Sequence, residues 1–313
     1  MTLPRRLIYM NILALLAAPA ASAAVIYVDN VNGSDGNDGL APEIQTVTTG
    51  PVRTLRRGTQ LAQPGDTLFL RNTGTPYYEM LALSGGKHSG VSARPFRVEG
   101  NGSVLCGLRQ IPKEGWNAAG PGLWQLSLTR KGYYRFFRDG VAWPEFHPPT
   151  ASFSLDEIPE GHWVSRRGQV YFRVPLQQPP MESAWTYAAE DQGVSLVDVR
   201  QVVIVDVRVV GFRVDGINVD NACRHVTLDR VASEHHGRAG LAVGGSSRVR
   251  LVNSRIVENG RYSVLVTEAA GVEIEASDLG GVEPTVADSA ASPSFRASAA
   301  ASTSENFKPV VLK

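Results

Sequence analysis

Hydrophobic residues recur at a nearly constant interval in the second half of the chain. One column keeps a strictly constant step and consists of Val203, Val226, Val249 and Val272. The column two positions later keeps the same step with Val205, Leu228, Leu251 and Ile274. A second column, in which only the middle step is longer by a single position, consists of Val194, Ile217, Leu241 and Val264. Because alternate residues of a strand share one face, these columns predict short stacked strands whose hydrophobic side chains, Val203 and its successors included, point into a common core.

The length of the repeat selects the architecture. A unit of about 23 residues is too short for a pair of helices and fits one coil of a β-solenoid. Glycine contributes 31 of the 313 residues, and charged residues make up 19%, below the roughly 25% of ordinary soluble domains. Lysine and arginine (31) nearly balance aspartate and glutamate (30), so no basic field favours nucleic acid as a partner. We therefore expect a turn-rich β protein.

The N-terminal third adds motifs to this pattern. Tyr27-Val28-Asp29 precedes the turn-rich run Gly-Ser-Asp-Gly-Asn-Asp-Gly-Leu-Ala-Pro at 33–42. Together with the hydrophobic columns, these residues resemble the pectate-lyase-like superfamily. The resemblance implies an all-β fold, a right-handed parallel β-helix, with an N-terminal capping helix within residues 51–63 and a first core strand at 64–70.

Residues 108–190 interrupt the repeats and contain all five tryptophans. The segment 162–174 carries Gly168 at its centre and predicts a hairpin. We interpret 108–190 as an antiparallel β insertion between the cap with the first coils (24–107) and the regular repeats (191–281). Its aromatic side chains are expected to form mainly a core of their own, and any exposed ones are suited to stacking on sugar rings.

The two ends of the chain have different compositions. Two arginines at 5–6 precede an apolar run that closes with Ala21-Ser22-Ala23, the pattern of a secretory signal cleaved after residue 23. This pattern predicts export to the periplasm or the extracellular space and no membrane association after cleavage. The Ala- and Ser-rich segment 282–313 predicts a disordered tail. Cys106 and Cys223 are too few for a disulfide framework and are expected as buried thiols.

The densest group of chemically versatile residues lies in the turn at 233–240. It contains His235, His236 and Arg238, which we predict as catalytic residues. Arg213, Arg238 and Arg261 precede the second hydrophobic column on successive repeats, so stacked coils should bring them to one edge of the solenoid. The predicted substrate-binding residues of this edge are Arg213, Asp215, Glu234, Arg261 and Tyr262.

A row of arginines suits an acidic polysaccharide, because guanidinium groups pair with carboxylates through two hydrogen bonds. Elimination from a uronate also needs a base and an acid, and histidine suits the base near neutral pH. The leading prediction is therefore a lyase-type enzyme acting on a uronate-containing polysaccharide. Two alternatives stay open: a non-catalytic glycan-binding or structural solenoid, and a glycoside hydrolase with paired carboxylates among Asp215, Asp220 and Glu234.

A further candidate is the loop at 35–38. Asp35, Asn37 and Asp38 place oxygen atoms as calcium-binding loops do, and the resemblance adds calcium as a candidate cofactor. A Gly-Asp-Asn turn explains the same residues equally well. We expect a monomer whose partner is an anionic polysaccharide.

Overall fold

The computed structural model describes residues 23–281 and two short strands beyond them, Thr285–Val286 and Ser294–Ser298. The predicted signal segment lies outside the described residues except for Ala23, and so does most of the predicted tail. Within the described part of the chain, no helix has both the length and the hydropathy needed to cross a bilayer.

The N-terminal part forms the cap and the first coils. Its elements are β1 (Val25–Val28), α1 (Leu55–Leu61), β2 (Thr67–Leu70), β3 (Leu81–Ser84) and β4 (Phe96–Cys106). Helix α1 begins after Thr54, whose hydroxyl accepts the N–H of Arg57 at 3.0 Å. Gly58 brings the helix onto the end of the solenoid, because a Cβ there would lie 2.8 Å from side-chain atoms of Leu68 and Val28. The predicted capping helix is thus observed, but it is shorter than the segment 51–63.

The insertion contains eight strands: β5 (Leu108–Gln110), β6 (Trp116–Gly120), β7 (Leu123–Leu126), β8 (Phe136–Arg138), β9 (Val141–Trp143), β10 (His162–Arg166), β11 (Gln169–Arg173) and β12 (Trp185–Ala188). They form two antiparallel sheets of four strands each, in the orders β10-β11-β7-β6 and β5-β12-β8-β9. Strands β10 and β11 form the predicted hairpin, with Arg167 and Gly168 both at positive φ in its turn. Short 3-10 turns cover Gly86–His88, Lys113–Gly115, Leu155–Glu157 and Pro180–Glu182.

The regular repeats supply the remaining strands. They are β13 (Gln192–Val197), β14 (Arg200–Val210), β15 (Asp215–Asp220), β16 (Arg224–Asp229), β17 (Ala232–Glu234), β18 (Ala239–Val243), β19 (Arg248–Val252), β20 (Arg255–Val257), β21 (Tyr262–Val266), β22 (Gly271–Glu275), β23 (Thr285–Val286) and β24 (Ser294–Ser298). All of their pairings with one another are parallel.

Three faces of parallel strands surround one hydrophobic core. Face one consists of β3, β13, β15, β18, β21 and β23. Face two consists of β1, β2, the first halves of β4 and β14, and β16, β19, β22 and β24; face three consists of the second halves of β4 and β14 with β17 and β20. The corner between faces two and three is formed by left-handed residues on successive coils, Asp206, Arg230 and Asn253, with φ of 55°, 51° and 50°. This architecture confirms the predicted fold class, a parallel β-helix with an N-terminal helix and an antiparallel insertion.

The predicted register of the first hydrophobic column is wrong by one position at its first member, Val203. Val226 pairs with Val202, and Leu228 pairs with Ile204, so the first step is one position longer than the constant step predicts. Val203 lies beside Thr227 on the outer side of face two and is only half-buried. The later members stack as predicted, since Val226 pairs with Val249 and Val249 with Val272. The second column, Val194 to Val264, also stacks as predicted.

The aromatic residues of the insertion form mainly its own core. Trp116, Phe136, Trp163, Phe172 and Trp185 are all at most 8% exposed and belong to one cluster. Their rings meet edge to face, with centroid distances between 4.8 and 5.5 Å for the pairs in contact. Such contacts give the insertion a hydrophobic centre separate from that of the solenoid.

Two strands lie within the segment predicted as a disordered tail. Strand β23 pairs with β21, and β24 pairs with β22 over its full length. The pairing continues the solenoid because the edges of β21 and β22 offer unpaired backbone groups to any following strand. The structure therefore departs from the prediction at these two strands; the rest of the tail lies outside the described residues.

A stack of side chains fills the corner between faces three and one. The N–H of Phe212 donates to His236 Nδ1 at 3.0 Å, and the N–H of His236 donates to Asn259 Oδ1 at 3.0 Å. The second residue of the face-one strand is a glycine on three coils: Gly193, Gly216 and Gly240. At Gly216 an added Cβ would lie 2.0 Å from Ser233 Oγ and 2.3 Å from His236 Nε2. The glycines are required because the stack occupies the space that a side chain would need.

We expect Gly216→Ala to destabilise the fold by about 1–3 kcal/mol, the cost of overpacking a well-filled interior. Denaturant unfolding measures the change. The matched control is Gly86→Ala, because nothing lies within 4 Å of a Cβ at that position. Equal stability of the two variants would contradict the packing argument.

Candidate functional site

His236, predicted as catalytic, lies in the interior and is 0% exposed. Its Nδ1 accepts from the backbone of Phe212, so the proton of the neutral ring is on Nε2 and faces Ser233 Oγ at 3.0 Å. The Ser233 hydroxyl then donates to the carbonyl of Gly240 at 2.8 Å. Burial lowers the pKa of His236 to about 3, which keeps the ring neutral. Because the ring cannot reach a polysaccharide, its predicted catalytic role is corrected to a structural one.

Asp215 and Arg238 form a pair at the start of face one. Arg238 donates from Nε to Asp215 Oδ1 at 2.9 Å and from a terminal nitrogen to Oδ2 at 2.6 Å. Asp215 is 0% exposed, so its predicted role in contacting substrate is wrong. Burial raises the pKa of its carboxyl, and the hydrogen bond and charge of Arg238 act against this increase. Arg238 therefore serves first to neutralise a buried carboxylate.

Glu234 has a similar structural position. It is 3% exposed and lies between two arginines of the neighbouring coils. Its Oε1 accepts from Arg208 Nε at 2.6 Å, and its Oε2 accepts from Arg255 at 3.0 Å. The predicted substrate contact of Glu234 is corrected accordingly, because both carboxylate oxygens are engaged with neighbouring coils. Asp220, named with these two acids for hydrolysis, stays half-buried on face one and accepts the N–H of Asn221 at 2.7 Å.

The three predicted arginines meet one loop of the insertion. Arg213 donates to the carbonyls of Lys131 and Gly132 at 2.9 and 3.2 Å. The guanidinium groups of Arg238 and Arg261 lie 5.9 and 4.9 Å from the ring centroid of Tyr133. The stacked coils thus bring the arginines to one edge, as their spacing indicates, and the loop 131–133 covers part of that edge.

The last predicted binding residue, Tyr262, is half-buried beside Ala239. Its backbone N–H donates to the carbonyl of Arg238 at 3.0 Å. Its side chain packs with Ala239, Ala242 and Leu265. Tyr262 therefore sits next to the arginine edge as part of a small apolar cluster.

His235 faces away from the core, unlike its neighbour. Its φ of 63° turns the side chain outward, and the ring lies edge-on to Phe137 with a centroid distance of 5.4 Å. Its Nε2 is 3.2 Å from Glu258 Oε2, and 24% of the His235 side chain is exposed. The Nδ1 atom is buried and has no hydrogen-bond partner among the described residues. Burial lowers the pKa of His235, and the charges of Glu234 and Glu258 oppose this effect.

Glu145 was not among the predicted site residues, yet its carboxyl interacts with the charges of His147, Arg261 and Arg135. Its backbone bridges Trp163 of β10, which fixes it to the rigid core of the insertion. The side chain is accessible to solvent, yet surrounding protein atoms raise the pKa of its carboxyl, while His147, Arg261 and Arg135 lower it. We use the name Glu145 cleft for the surface region of Glu145 and the three charged residues that interact with it, His147, Arg261 and Arg135. The region also includes Tyr133, which contacts Arg261, Glu258, which contacts Arg135, and His235, which contacts Glu258.

Arg135 ties the two walls of the Glu145 cleft together. Its guanidinium donates to the main-chain carbonyl of Glu258 at 3.0 Å. Burial lowers the pKa of Arg135, and the charges of Glu145 and Glu258 raise it. The only local signal in the sequence is the run Pro144-Glu145-Phe146-His147-Pro148, in which an acid and a histidine stand between prolines. Nothing in that run indicates that it packs against residues far along the chain.

The loop with the calcium candidates is organised by main-chain donors. Asp35 accepts the N–H groups of Arg53 and Thr54 at 3.0 and 2.9 Å. Burial raises the pKa of Asp35, but the hydrogen bonds from Thr54 and Arg53 outweigh it and lower the pKa overall. Asp38 accepts from Leu40 at 3.0 Å, and Asn37 donates to the carbonyl of Pro51 at 2.9 Å. These contacts are those of a structural turn.

Potential metal ligands and thiols add no further chemistry to the described part of the chain. No group of three or more His, Cys, Asp or Glu residues suited to a metal ion occurs within it. Cys106 and Cys223 are both buried and free, as expected. Burial raises the pKa of both thiols.

Comparisons with known proteins give structural likeness alone. No protein-family model matches the chain, and no curated protein matches it. The structure of XylC with xylose aligns at a TM-score of 0.49 and 10% identity, covering 80% of this chain and 58% of that one. A glycoside hydrolase aligns at 0.49 and 12% identity, covering 81% and 77%. Pectate lyase Pel9A aligns at 0.34 and 12% identity, covering 89% and 79%. The chain thus spans 58% of the length of the XylC chain.

The buried state of His236 has a consequence for stability. Its pKa is about 3 in the folded chain against 6.5 for the free side chain, so the unfolded chain binds the extra proton between these values. The contribution of neutral His236 to the free energy of unfolding is fully present above pH 6.5. It is lost as the pH falls below that value, by up to ~1.4 kcal/mol per pH unit. We expect His236→Asn, which keeps an acceptor for the Phe212 N–H, to show a shallower loss in denaturant unfolding across that range. An equal loss of stability with falling pH in the unaltered chain and in His236→Asn would show that His236 is not the group responsible.

Removing Arg238 should affect the fold before it affects binding. Arg238→Ala leaves the Asp215 carboxylate buried without its partner, which costs about 3–5 kcal/mol. Arg238 lowers the folded pKa of Asp215 against the effect of burial, so its loss raises that pKa further. The deficit is therefore larger near neutral pH than in mild acid, where protonation removes the unpaired charge. Arg230→Ala, at an arginine paired with Asp229 and 55% exposed, is the control and should cost less than about 1 kcal/mol. Equal losses in denaturant unfolding would refute this role of Arg238.

Proposed function

We propose that the chain is a carbohydrate-active protein that binds an acidic polysaccharide in the Glu145 cleft and cleaves its glycosidic bonds there. The observation that carries this proposal is the position of Glu145: an accessible carboxyl with a raised pKa, opposite Arg261 and Arg135 at the junction of insertion and solenoid. Arginine side chains recognise carboxylates, and a carboxyl with a raised pKa is suited to donating a proton.

Binding of an acidic sugar would strengthen the acid function of Glu145. A uronate carboxylate held by Arg135 and Arg261 adds negative charge near Glu145, and a like charge raises the pKa of a carboxyl further. Tyr133, already beside the guanidinium groups of Arg238 and Arg261, offers an aromatic ring on which a sugar can pack. The bound substrate thereby favours the protonated form that the leaving oxygen requires.

The second carboxylate of the cleft is Glu258, whose side chain is 58% exposed. His235 Nε2 is 3.2 Å from its Oε2 and orients it as a hydrogen-bond donor. One protonated and one ionised carboxyl are the two groups that glycoside hydrolysis uses. We therefore favour hydrolysis, with Glu145 as the acid and Glu258 as the base or nucleophile.

Elimination is the second candidate, and the pair of arginines favours it, because elimination requires a neutralised carboxylate. The histidines do not fit the base of that reaction. His236 is fully buried, and His235 has a buried Nδ1 and an Nε2 that is already in contact with Glu258 at 3.2 Å. In an elimination the proton would have to go to Glu258, whose side chain is 58% exposed.

The signal pattern of the N-terminus supports an exported protein, which would meet polysaccharides outside the cell. The two buried thiols are compatible with such a compartment, since neither is accessible to oxidants. We retain export and a monomeric chain as parts of the proposal.

The test is Glu145→Gln assayed on polygalacturonate, alginate and hyaluronan. We expect cleavage to fall by about 100-fold or more, the usual cost of losing a general acid, while binding of the polymer is retained. New reducing ends without ultraviolet absorbance indicate hydrolysis, whereas absorbance from an unsaturated product indicates elimination.

Glu114→Gln is the matched control, because Glu114 is an exposed acid of the same insertion outside the cleft. Cleavage that survives Glu145→Gln would remove Glu145 from the reaction. Binding without products from any polymer would support the non-catalytic alternative instead.

A further inference from the structure

A second concave site lies where the insertion joins the solenoid. We name it the junction pocket, of ≈230 Å³, lined by Arg109, Arg130, Tyr134, Tyr187 and Arg213 together with residues 188–190. Pockets that enclose drug-sized ligands measure about 300–1,000 Å³. The junction pocket is therefore matched to one sugar ring and not to an oligosaccharide.

The charges of the pocket form an alternating chain with one arginine in excess. Arg109 contacts Glu190, and Arg130 reaches Glu190 at 3.7 Å and Asp191 at 3.1 Å. Arg213 closes the chain at 2.8 Å from Asp191. Arg109 and Arg130 remain 66% and 52% exposed, so their outer N–H groups are available to a further acceptor. An anionic group entering the pocket balances the excess positive charge.

The aromatic wall of the pocket is held rigidly by the insertion. The rings of Tyr134 and Tyr187 lie at 26° and 25° to the ring of Phe136, with centroid distances of 5.9 and 6.5 Å. Phe136 is 1% exposed at the centre of the aromatic core. Two preorganised tyrosines beside guanidinium groups are suited to the apolar face and the carboxylate of one acidic sugar.

The floor of the pocket is also fixed. The N–H groups of Ala189 and Glu190 both donate to the carbonyl of Gly107, at 3.0 and 3.2 Å. Arg130 donates to the carbonyl of Ala189 at 3.0 Å. The segment that carries both acids of the charge chain is thereby anchored to the solenoid.

The junction pocket and the Glu145 cleft both include residues of the segment 129–133. Arg213 of the pocket holds the carbonyls of Lys131 and Gly132, whereas Tyr133 of that loop contacts Arg238 and Arg261. A ligand in the pocket and a ligand in the cleft therefore contact neighbouring residues of one short segment.

We propose that the junction pocket binds a single hexuronate residue, as an accessory subsite beside the cleft. Its assignment as a subsite rests on the proposed function, but its affinity for a monosaccharide does not. The carboxylate of the sugar would pair with Arg109 and Arg130, and the ring would pack against Tyr187 and Tyr134.

Calorimetry with glucuronate, glucose and acetate on the full chain tests this proposal. We expect glucuronate to bind, with an affinity that falls as salt is added. Glucose, which lacks the carboxylate, and acetate, which lacks the sugar ring, should both bind at least about tenfold more weakly. Arg109→Gln should weaken glucuronate binding by roughly tenfold. Arg230→Gln, at an exposed arginine also paired with an acid, should leave it unchanged.

Glu145→Gln separates this proposal from the proposed function. The pocket predicts that this variant binds glucuronate as the unaltered chain does, whatever happens to cleavage. No glucuronate binding, equal binding of acetate, or insensitivity to Arg109→Gln would each overturn the pocket assignment. Loss of glucuronate binding in Glu145→Gln would also overturn it and would place the monosaccharide in the cleft.

Discussion

The fold depends on hydrogen bonds that satisfy backbone N–H groups at the corners of the coils, where strand pairing is interrupted. At the corner before face one, Phe212 donates to the His236 ring and His236 donates to Asn259. At the other corners serines of the next coil accept in the same way, with Ser247 bonded to Cys223 and Ser254 to Val231. Each of these amides would otherwise be buried without a partner, at a cost of about 1–3 kcal/mol.

This requirement decides which residues remain for chemistry. Once His236 serves the interior, His235 is forced to the outside in a left-handed conformation with φ of 63°. The following Gly237 lies flat against the insertion, since a Cβ there would lie 2.0 Å from the carbonyl oxygen of Tyr133. The corner that contains His236 thus orders the core and also places Gly237 against the insertion and His235 at the surface.

The periodic parts of the fold could be predicted from sequence, and the cleft could not. The column from Val194 to Val264 reports burial directly, because like residues stack from coil to coil. Val203 was wrongly predicted to point into the core because its neighbour Val202 is also a valine, and a repeat whose length varies by one position fits either of them. Only the observed pairing with Val226 identifies Val202 as the member of the column. The sequence does not indicate which of the adjacent residues His235 and His236 points into the core. Glu145 joins the cleft only through the packing of the insertion on distant coils, which no local pattern encodes.

Pairing within the protein also determines how much of the arginine edge is available to an acidic ligand. Arg238 is committed to the buried Asp215, and Arg213 to Asp191 and the loop carbonyls. Arg261 lies against Tyr133, a contact with a neutral ring that does not compensate its charge as a hydrogen-bonded acid would. The proposed recognition of an acidic sugar therefore rests on Arg261, the member of the predicted row without a bonded acid among the described contacts, and on Arg135. In the proposed site the insertion contributes one of these two arginines, Arg135, and the acid Glu145, whose carboxyl interacts with the charges of both.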